Sequence, residues 1–357
     1  MTLLSQWSER IAAAAVSGTR LCIRGGGTKD FYGNEPRGET FETRDWQGIE
    51  SYEPSELVIT ARAGTPLAQI EAELAAKGQM LAFEPPHFGV GATLGGCIAA
   101  GLAGPRRASA GYAWGGVRDA VLGARLLDGR GRLLKFGGTV IKNVAGYDVS
   151  RLLAGSLGTL GVIAELSIKV LPRPASELTL RFEMTEGEAL RHLNSWAGQP
   201  LPLSASCWHE GALRVRLAGA QPAVEASARV LGGEREPATL AEDSWHGLRE
   251  QQHPFFEGAR PLWRFSIPTN AAPLALPGAQ LIEWGGALRW LRSDASADAL
   301  RARARELGGH ATLFRGALPR PQAFTPLSPA LLAIHQRLKR EFDPAGIFNP
   351  GRMYPEF

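Results

Sequence analysis

The chain has 357 residues, 44% of them hydrophobic and 21% charged, which is the composition of a globular protein long enough for two domains. The net charge is +4, but acidic residues are interspersed with basic ones and no block of five or more Lys and Arg occurs. This charge pattern disfavours a nucleic-acid-binding surface.

Apolar and β-branched runs bounded by turn residues predict the strands. In chain order they are residues 21–24, 58–63, 121–127, 132–136, 162–170, 178–182 and 213–217. Apolar residues at helical spacing predict helices over residues 7–17, 186–196, 294–307 and 331–342. A further helix is predicted to open at Thr65-Pro66, with Thr65 as its N-cap, and to close at Gly78. Asp128-Gly129 predicts the turn of a β-hairpin.

The domain organisation is predicted from a change of composition at Pro172 and Pro174, after which the glycine runs stop. We expect a first domain over 1–172, an α+β domain over 173–330 and a C-terminal segment, 331–357, that returns to the first domain. The apolar run after Arg10 is too short for a signal peptide, and no run approaches membrane-spanning length. Three widely spaced cysteines, Cys22, Cys97 and Cys207, exclude a local iron–sulfur or zinc motif. We therefore expect a soluble, cytoplasmic protein.

Two glycine-rich stretches predict a site for a diphosphate. The first is Arg24-Gly25-Gly26-Gly27-Thr28-Lys29 and the second runs from Gly89 to Gly104. Consecutive glycines let backbone N–H groups approach an anion closely, and the flanking Arg24 and Lys29 add positive charge. Neither the G-x-G-x-x-G nor the G-x-x-x-x-G-K-[ST] pattern fits. Two separate small-residue loops therefore indicate a large dinucleotide held between two backbone cradles.

The order of several motifs resembles the vanillyl-alcohol oxidase (PCMH-type) family of FAD-binding flavoproteins. These motifs are Arg24-Gly25-Gly26-Gly27-Thr28, Glu84-Pro85-Pro86, Gly91-Ala92-Thr93-Leu94-Gly95-Gly96, Trp114-Gly115-Gly116-Val117-Arg118-Asp119, Lys142-Asn143-Val144-Ala145-Gly146-Tyr147-Asp148, Gly158-Thr159-Leu160-Gly161-Val162-Ile163, Phe342-Asp343-Pro344 and Asn349-Pro350-Gly351-Arg352-Met353. The resemblance implies an α+β protein with a two-part PCMH-type FAD-binding domain over 1–172, an α+β cap domain that carries the substrate side, and a closing C-terminal segment.

Within that family the chain is most similar to the E-type FAD-binding subunits of bacterial glycolate oxidases. The stretches that carry this similarity are Ile141–Asp148, Leu262–Arg264 and Glu283–Trp290. The resemblance implies that residues 24–29 and 91–96 hold the FAD pyrophosphate, and that 115–119 and 161–163 line the rest of the cofactor through backbone contacts. The implied FAD-binding residues are Arg24, Gly25, Gly26, Gly27, Thr28, Lys29, Pro85, Gly91, Thr93, Leu94, Gly95, Gly96, Gly115, Arg118, Asp119, Gly158, Gly161, Val162 and Ile163.

The attachment of FAD is expected to be non-covalent. Some members of the family attach FAD through a histidine near the first glycine loop, but Gly27-Thr28-Lys29-Asp30 contains no His or Cys. Cys97 is the only nucleophile in the second glycine stretch, and we interpret it as a small buried residue.

Catalytic residues cannot be assigned from the sequence. Related 2-hydroxyacid dehydrogenases of this fold bind a divalent metal through a histidine pair and a Glu, but no two histidines here have metal-ligand spacing, so no metal is expected. Arg264 and Arg289 lie beside tryptophans and are either a clamp for a substrate carboxylate or Arg–Trp packing pairs. The Trp and Phe residues of 245–290 predict either a partner interface or a cap-domain core.

The function implied by the resemblance is that of the FAD-binding subunit of a glycolate (2-hydroxy acid) oxidase or dehydrogenase complex. Glycolate would be oxidised to glyoxylate, with electrons passed through FAD to an iron–sulfur partner subunit. A paralogous FAD subunit is the other expected partner, and the complex would bring this cytoplasmic protein to the inner membrane face. Two alternatives stay open: a self-sufficient FAD-dependent alcohol or hydroxy-acid dehydrogenase such as a D-lactate dehydrogenase, and a non-catalytic FAD-binding assembly subunit.

Overall fold

The N-terminal elements are a helix and a parallel pair of strands. The computed structural model describes residues 2–106, 115–139, 148–316 and 322–357. Helix α1 (Leu3–Ser17) starts before the predicted residue 7 because the Thr2 hydroxyl caps it, accepting a hydrogen bond from the Ser5 N–H. Strands β1 (Leu21–Arg24) and β2 (Glu39–Glu42) pair in parallel, so the predicted strand over 21–24 is confirmed and leads directly into the first glycine loop.

A five-stranded antiparallel sheet with the order β3-β4-β8-β6-β7 follows. The strands of this part of the chain, including a two-residue pair β5–β9, are β3 (Ile49–Glu53), β4 (Val58–Arg62), β5 (Gln79–Met80), β6 (Val121–Leu127), β7 (Leu133–Gly137), β8 (Val162–Lys169) and β9 (Leu171–Pro172). The predicted hairpin is confirmed as β6–β7. Its turn is fixed by Asp128, whose carboxylate accepts 2.9 Å hydrogen bonds from the backbone N–H groups of Arg130 and Arg132.

Short helices cover one face of this sheet and form a common apolar core with it. They are α2 (Leu67–Ala76), α3 (Leu94–Ala100), α4 (Val117–Ala120) and α5 (Val149–Leu152). The predicted cap of α2 is wrong: Pro66 occupies the cap position, and the Thr65 hydroxyl instead bonds the backbone of Gly48. Part of the second glycine stretch, expected to be a loop, is helix α3, which Thr93 caps by accepting from the Gly96 N–H.

The second half of the chain forms an eight-stranded antiparallel sheet with the order β13-β10-β12-β11-β15-β16-β14-β17. Its strands are β10 (Ser176–Glu183), β11 (Leu203–His209), β12 (Ala212–Gly219), β13 (Glu234–Arg235), β14 (Leu262–Ser266), β15 (Ala279–Glu283), β16 (Leu288–Arg292) and β17 (His310–Arg315). The sheet begins at Ser176, just after the predicted boundary at Pro172 and Pro174.

Four helices accompany the eight-stranded sheet. They are α6 (Glu186–Ala197), α7 (Gln221–Leu231), α8 (Ala238–Glu250) and α9 (Ala297–Glu306). The prediction for α6 is confirmed, and α9 is shorter than predicted because Ser296 caps it. Helices α7 and α8 were not predicted; both begin beside a proline.

The C-terminal segment packs on the first part of the chain. Helix α10 (Pro329–Phe342) places Phe342 in the core of the five-stranded sheet, and Phe348 packs in the apolar cluster of α1 and β1. The buried Lys339 ammonium donates to the Thr159 and Phe348 carbonyls and to the Asp343 carboxylate, at 2.7–2.8 Å. This arrangement favours the predicted return of residues 331–357 to the first domain.

Two apolar clusters contain aromatic side chains of the second half of the chain, and one of the two also includes residues of the first half. The aromatic side chains of the 245–290 region, for which an interface was one of two predictions, are at most 7% exposed and pack in these clusters. They are Trp245, Phe255, Phe256, Trp263, Phe265, Trp284 and Trp290. These residues are therefore core, and the interface prediction is wrong for them. In the ranges that the structure describes, no helix combines the length and apolar character needed to cross a membrane.

Candidate functional site

The first glycine loop follows β1 and lies against the turn before α3. A Cβ atom on Gly26 would lie 1.5 Å from the Gly91 carbonyl oxygen, and one on Gly25 would lie 2.5 Å from the Thr93 hydroxyl oxygen. The two glycine-rich stretches are thus in direct backbone contact. No side chain at Gly26 is compatible with this contact, since real Cβ atoms do not approach other atoms within 3.0 Å.

Three consecutive backbone donors of the first loop are available to a ligand. Among the described residues, the N–H groups of Gly26, Gly27 and Thr28 donate no hydrogen bond. Gly27 has a φ of +71°, the left-handed conformation that glycine adopts without a Cβ penalty. Successive unpaired N–H groups around such a residue form a concave anion site, so the loop fits the diphosphate of a dinucleotide.

The loop forms one wall of a groove with a volume of about 750 Å³, including its open mouth. Most of the predicted FAD-binding residues line this one groove: Arg24, Gly25, Gly26, Gly27, Thr28, Lys29, Thr93, Gly95, Gly96, Gly158, Gly161 and Ile163. Residues about 130 positions apart in the sequence are therefore brought together, as expected for a shared cofactor site. The sequence reasoning missed other lining residues, including Thr43, Ala63, Ala99, Asn349 and Arg352.

The C-terminal tail fixes the shape of the groove. The Asn349 amide accepts from the Ile23 N–H at 2.6 Å and donates to the Leu157 carbonyl at 2.5 Å, which joins β1 to the turn that contains Gly158. The Arg352 guanidinium donates to the Asp30 carbonyl at 3.0 Å and to the Asn34 carbonyl. Both residues belong to the tail motif found in the sequence, but their contacts span 192 to 326 positions and left no local signal.

Positive charge at the loop is partly neutralised by the protein itself. Arg24 pairs with Asp30 at 2.8 Å, and its side chain is 42% exposed at the rim. Lys29 points inward, donates to the His87 carbonyl at 3.1 Å and lies 5.4 Å from the Phe88 ring centre. Burial lowers the pKa of Lys29 from its usual value. The loop therefore presents backbone donors and Arg24 to a ligand, while Lys29 holds the neighbouring segment.

Cys97 is buried in helix α3 and has no role as a cofactor tether in this arrangement. Burial raises the pKa of its thiol to about 12, so the reactive thiolate is scarce at neutral pH. This supports the interpretation of Cys97 as a small packing residue.

Several predicted FAD-binding residues do not line this groove. The side chains of Leu94 and Val162 are fully buried in apolar clusters, Pro85 is buried, and Gly91 contacts Gly26. Gly115, Arg118 and Asp119 lie at the start of α4, where the Asp119 carboxylate accepts from the Gly116 N–H at 2.7 Å. Trp114 and residues 142–147 of the Lys142–Asp148 motif lie outside the described residues. An FAD contact for these residues remains a prediction.

The two arginine candidates differ in their surroundings. Arg289 is completely buried and donates to three backbone carbonyls of its own domain, those of Gly286, Ala271 and Ala272. Its guanidinium is thus occupied in holding the chain, which disfavours a role as a carboxylate clamp. Arg264 lies 5.4 Å from the Trp284 ring centre, which corresponds to the predicted packing pair.

A buried acid shares a small cavity with Arg264. Glu283 accepts a 2.8 Å hydrogen bond from the Trp290 indole, and the cavity is also lined by Gln251, whose buried Oε1 has no partner in the described structure. Burial raises the pKa of Glu283 to about 7, against the opposing effects of the Trp290 hydrogen bond and Arg264. In the described ranges, no group of three or more His, Cys, Asp and Glu side chains is placed to hold a metal ion.

Two family models and several known proteins match the chain. A family model described as "FAD binding domain" matches residues 4–149, and one described as "FAD linked oxidases, C-terminal domain" matches 315–353. The chain is 50% identical over 349 residues to the glycolate oxidase subunit GlcE of Escherichia coli (strain K12), covering 98% of this chain and 96% of that protein. It is 32% identical over 164 residues to the glycolate oxidase subunit GlcD of Bacillus subtilis (strain 168), which is 46% of this chain and 32% of that protein.

A solved structure shares the fold over nearly the whole chain. Alkyldihydroxyacetonephosphate synthase superposes with a TM-score of 0.66 at 14% identity, over 97% of this chain and 74% of that one. At this identity the likeness concerns the fold alone.

Proposed function

This chain belongs to the family of the glycolate oxidase subunit GlcE, and we propose from that premise that it is the FAD-binding E-type subunit of a glycolate oxidase complex. It is an FAD-dependent oxidoreductase subunit with the PCMH-type α+β fold expected from its motifs. The observation that carries the proposal is the 50% identity to GlcE over 98% of this chain. The glycine loop that lines the groove is consistent with it. Glycolate is the proposed substrate and glyoxylate the product.

The residues of the groove would hold FAD mainly through the backbone. The N–H groups of Gly26, Gly27 and Thr28 would bind the diphosphate, with Arg24 adding charge at the rim. Asn349 and Arg352 keep β1 and the first loop in register with the turn at Gly158. When bound, FAD supplies the redox chemistry, accepting the two electrons removed from a CH–OH group. The chain's contribution is to bind and orient the cofactor and to keep water from it.

The partners that we propose are a paralogous FAD subunit and an iron–sulfur subunit. The two relatives compared above are both named as subunits of glycolate oxidase. Electrons leaving the flavin of this chain need a carrier, and its three cysteines are too far apart in the sequence to form a local cluster motif. We therefore propose that this chain alone turns over glycolate poorly and that activity depends on its partners.

The experiment is an anaerobic titration of the purified chain, carrying FAD, with glycolate and in parallel with D-lactate. Flavin absorbance near 450 nm is followed with and without the partner subunits. Bleaching by glycolate only in the presence of the partners is the expected result. Full bleaching and dye reduction by the isolated chain would instead identify a self-sufficient hydroxy-acid dehydrogenase. A purified chain with no measurable affinity for FAD would contradict the proposal itself.

A further inference from the structure

The segment Glu84–Phe88 lies in the first half of the chain and contacts the second half through Arg216 and Glu250. Its backbone conformation is unfavourable at both ends. Glu84 has a φ of +42° and Phe88 a φ of +54°. Residues with side chains rarely adopt this left-handed region, which persists only where surrounding contacts hold it. Pro85 and Pro86 between them stiffen the segment. Its shape must therefore be maintained by contacts from outside.

The first end of the segment is held by the eight-stranded sheet. The Glu84 carboxylate accepts 2.9 Å hydrogen bonds at both oxygens from Arg216 of β12. It also accepts from the backbone N–H and the guanidinium of Arg106. These partners lower the pKa of Glu84 despite its burial, so the carboxylate stays charged and the contact stays strong at neutral pH.

The second end is held by Glu250, the last residue of α8. Its Oε2 accepts from the backbone N–H of His87 at 3.1 Å and from that of Phe88 at 2.9 Å. Its Oε1 accepts from the Arg249 guanidinium at 2.9 Å, and the Glu250 side chain is only 8% exposed. A buried carboxylate that receives two backbone N–H groups is a strong, directional contact.

The segment Glu84–Phe88 in turn contacts the first glycine loop. The His87 carbonyl receives the Lys29 ammonium, and the Phe88 ring lies 5.6 Å from that of Phe31. The turn that follows Phe88 brings Gly91 against Gly26. The chain of contacts thus runs from α8, through His87 and Phe88, to both sides of the glycine loop.

We propose that Glu250 is a positioning residue for FAD: through His87 and Phe88 it fixes the glycine loop in the conformation that receives the diphosphate. This inference rests on FAD binding by the chain and adds that the second half of the chain contributes to affinity without touching the loop. Substitutions in a contact network that do not touch the ligand typically change its binding by about 2- to 30-fold.

The test measures the FAD dissociation constant and the melting temperature of the apoprotein for four variants. Glu250→Ala removes the acceptor, and we expect an affinity loss of about tenfold. Glu250→Asp keeps the charge but is one methylene too short to reach the two N–H groups, so it should lose affinity nearly as much. Glu250→Gln keeps one oxygen, which can occupy the Oε2 position and accept from both N–H groups. Its NH2 group then replaces the Oε1 that accepts from Arg249, whose 26% exposed side chain can turn toward solvent. We expect it to restore most of the affinity, to within about threefold of the parent.

Glu242→Ala is the matched control, because Glu242 lies exposed on the same helix. It should change neither quantity. Equal affinities for the parent chain and Glu250→Ala would overturn the inference, and so would equal losses in Glu250→Ala and Glu250→Gln. Should Glu250→Ala not fold, the order of Glu250→Asp and Glu250→Gln decides alone. Failure of the parent chain to bind FAD would instead contradict the proposed function.

Discussion

Gly96→Ala should weaken FAD binding without destabilising the apoprotein. Among the described residues, a Cβ atom on Gly96 meets one atom within 4 Å outside its chain neighbours and its own helix backbone, the Thr93 hydroxyl oxygen at 3.1 Å, and Gly96 lines the groove. The cost to the apoprotein is small, because a small shift of Thr93 relieves the contact and Ala is favoured over Gly inside a helix by up to about 1 kcal/mol. We expect an apo melting temperature within about 2 °C of the parent, since 1 kcal/mol corresponds to about 2–4 °C in a domain of this size.

The affinity of Gly96→Ala for FAD should fall by at least about tenfold, equivalent to about 1.4 kcal/mol, because the added methyl group enters the groove where backbone approaches the ligand. The opposite case is Gly26→Ala, whose Cβ would lie 1.5 Å from the Gly91 carbonyl oxygen. Overpacking against backbone costs about 1–3 kcal/mol or more, so this variant should lose about 2–12 °C of apo stability as well as FAD affinity. Differential scanning fluorimetry and fluorescence titration measure the two quantities. Unchanged FAD affinity in a folded Gly96→Ala protein would refute the placement of the cofactor in this groove.

Three further predictions concern the attachment of the flavin, the buried Glu283 and the Lys339–Asp343 pair. Acid or heat denaturation should release all flavin into the supernatant, since the first loop has no tethering side chain; flavin retained on the washed precipitate would contradict this. The raised pKa of Glu283, about 7 when folded against about 4.5 unfolded, means that the unfolded state binds fewer protons between these values, so stability should fall as pH rises from about 4.5 to 7. Glu283→Gln should flatten that slope in urea titrations, and an unchanged slope would disprove the assignment. Lys339→Met leaves Asp343 buried without its cation and should cost about 3–5 kcal/mol, measured by urea unfolding; a loss below 1 kcal/mol would show that the pair is dispensable.

Local patterns predicted the elements that local contacts stabilise. The β6–β7 hairpin and the strand over 21–24 were found because turn chemistry and β-branched runs lie within a few residues of each other. The assignment of Thr65 as an N-cap failed because its hydroxyl bonds a residue that is distant in the sequence. A hydroxyl can accept from its own helix or bond a distant backbone, and Gly48 supplies the competing partner.

The sequence predicted which residue types form the candidate site, but not whether each residue serves the ligand or the packing of the protein. Gly95 was assigned to the cofactor, yet a Cβ atom there would lie 2.7 Å from the Ala63 side chain, and its N–H donates to the Ala63 carbonyl. Arg289 likewise carried the right residue type for a carboxylate clamp, but three carbonyls of its own domain occupy it. Composition cannot distinguish a glycine that a ligand needs from one that a neighbouring strand needs, because both require the absence of a side chain.

The contacts that shape the loop could not be predicted, because they join residues far apart in the sequence. Glu250 meets His87 across 163 positions, and Asn349 meets Ile23 across 326. Glu250 lies in no motif, and the tail motif that contains Asn349 does not indicate its partner. Only the tertiary fold brings each of these side chains to the backbone that it binds. A cradle whose donors come from one loop therefore depends on acceptors from the second half and the tail. For this reason, substitutions outside the glycine motifs should alter FAD affinity as strongly as those within them.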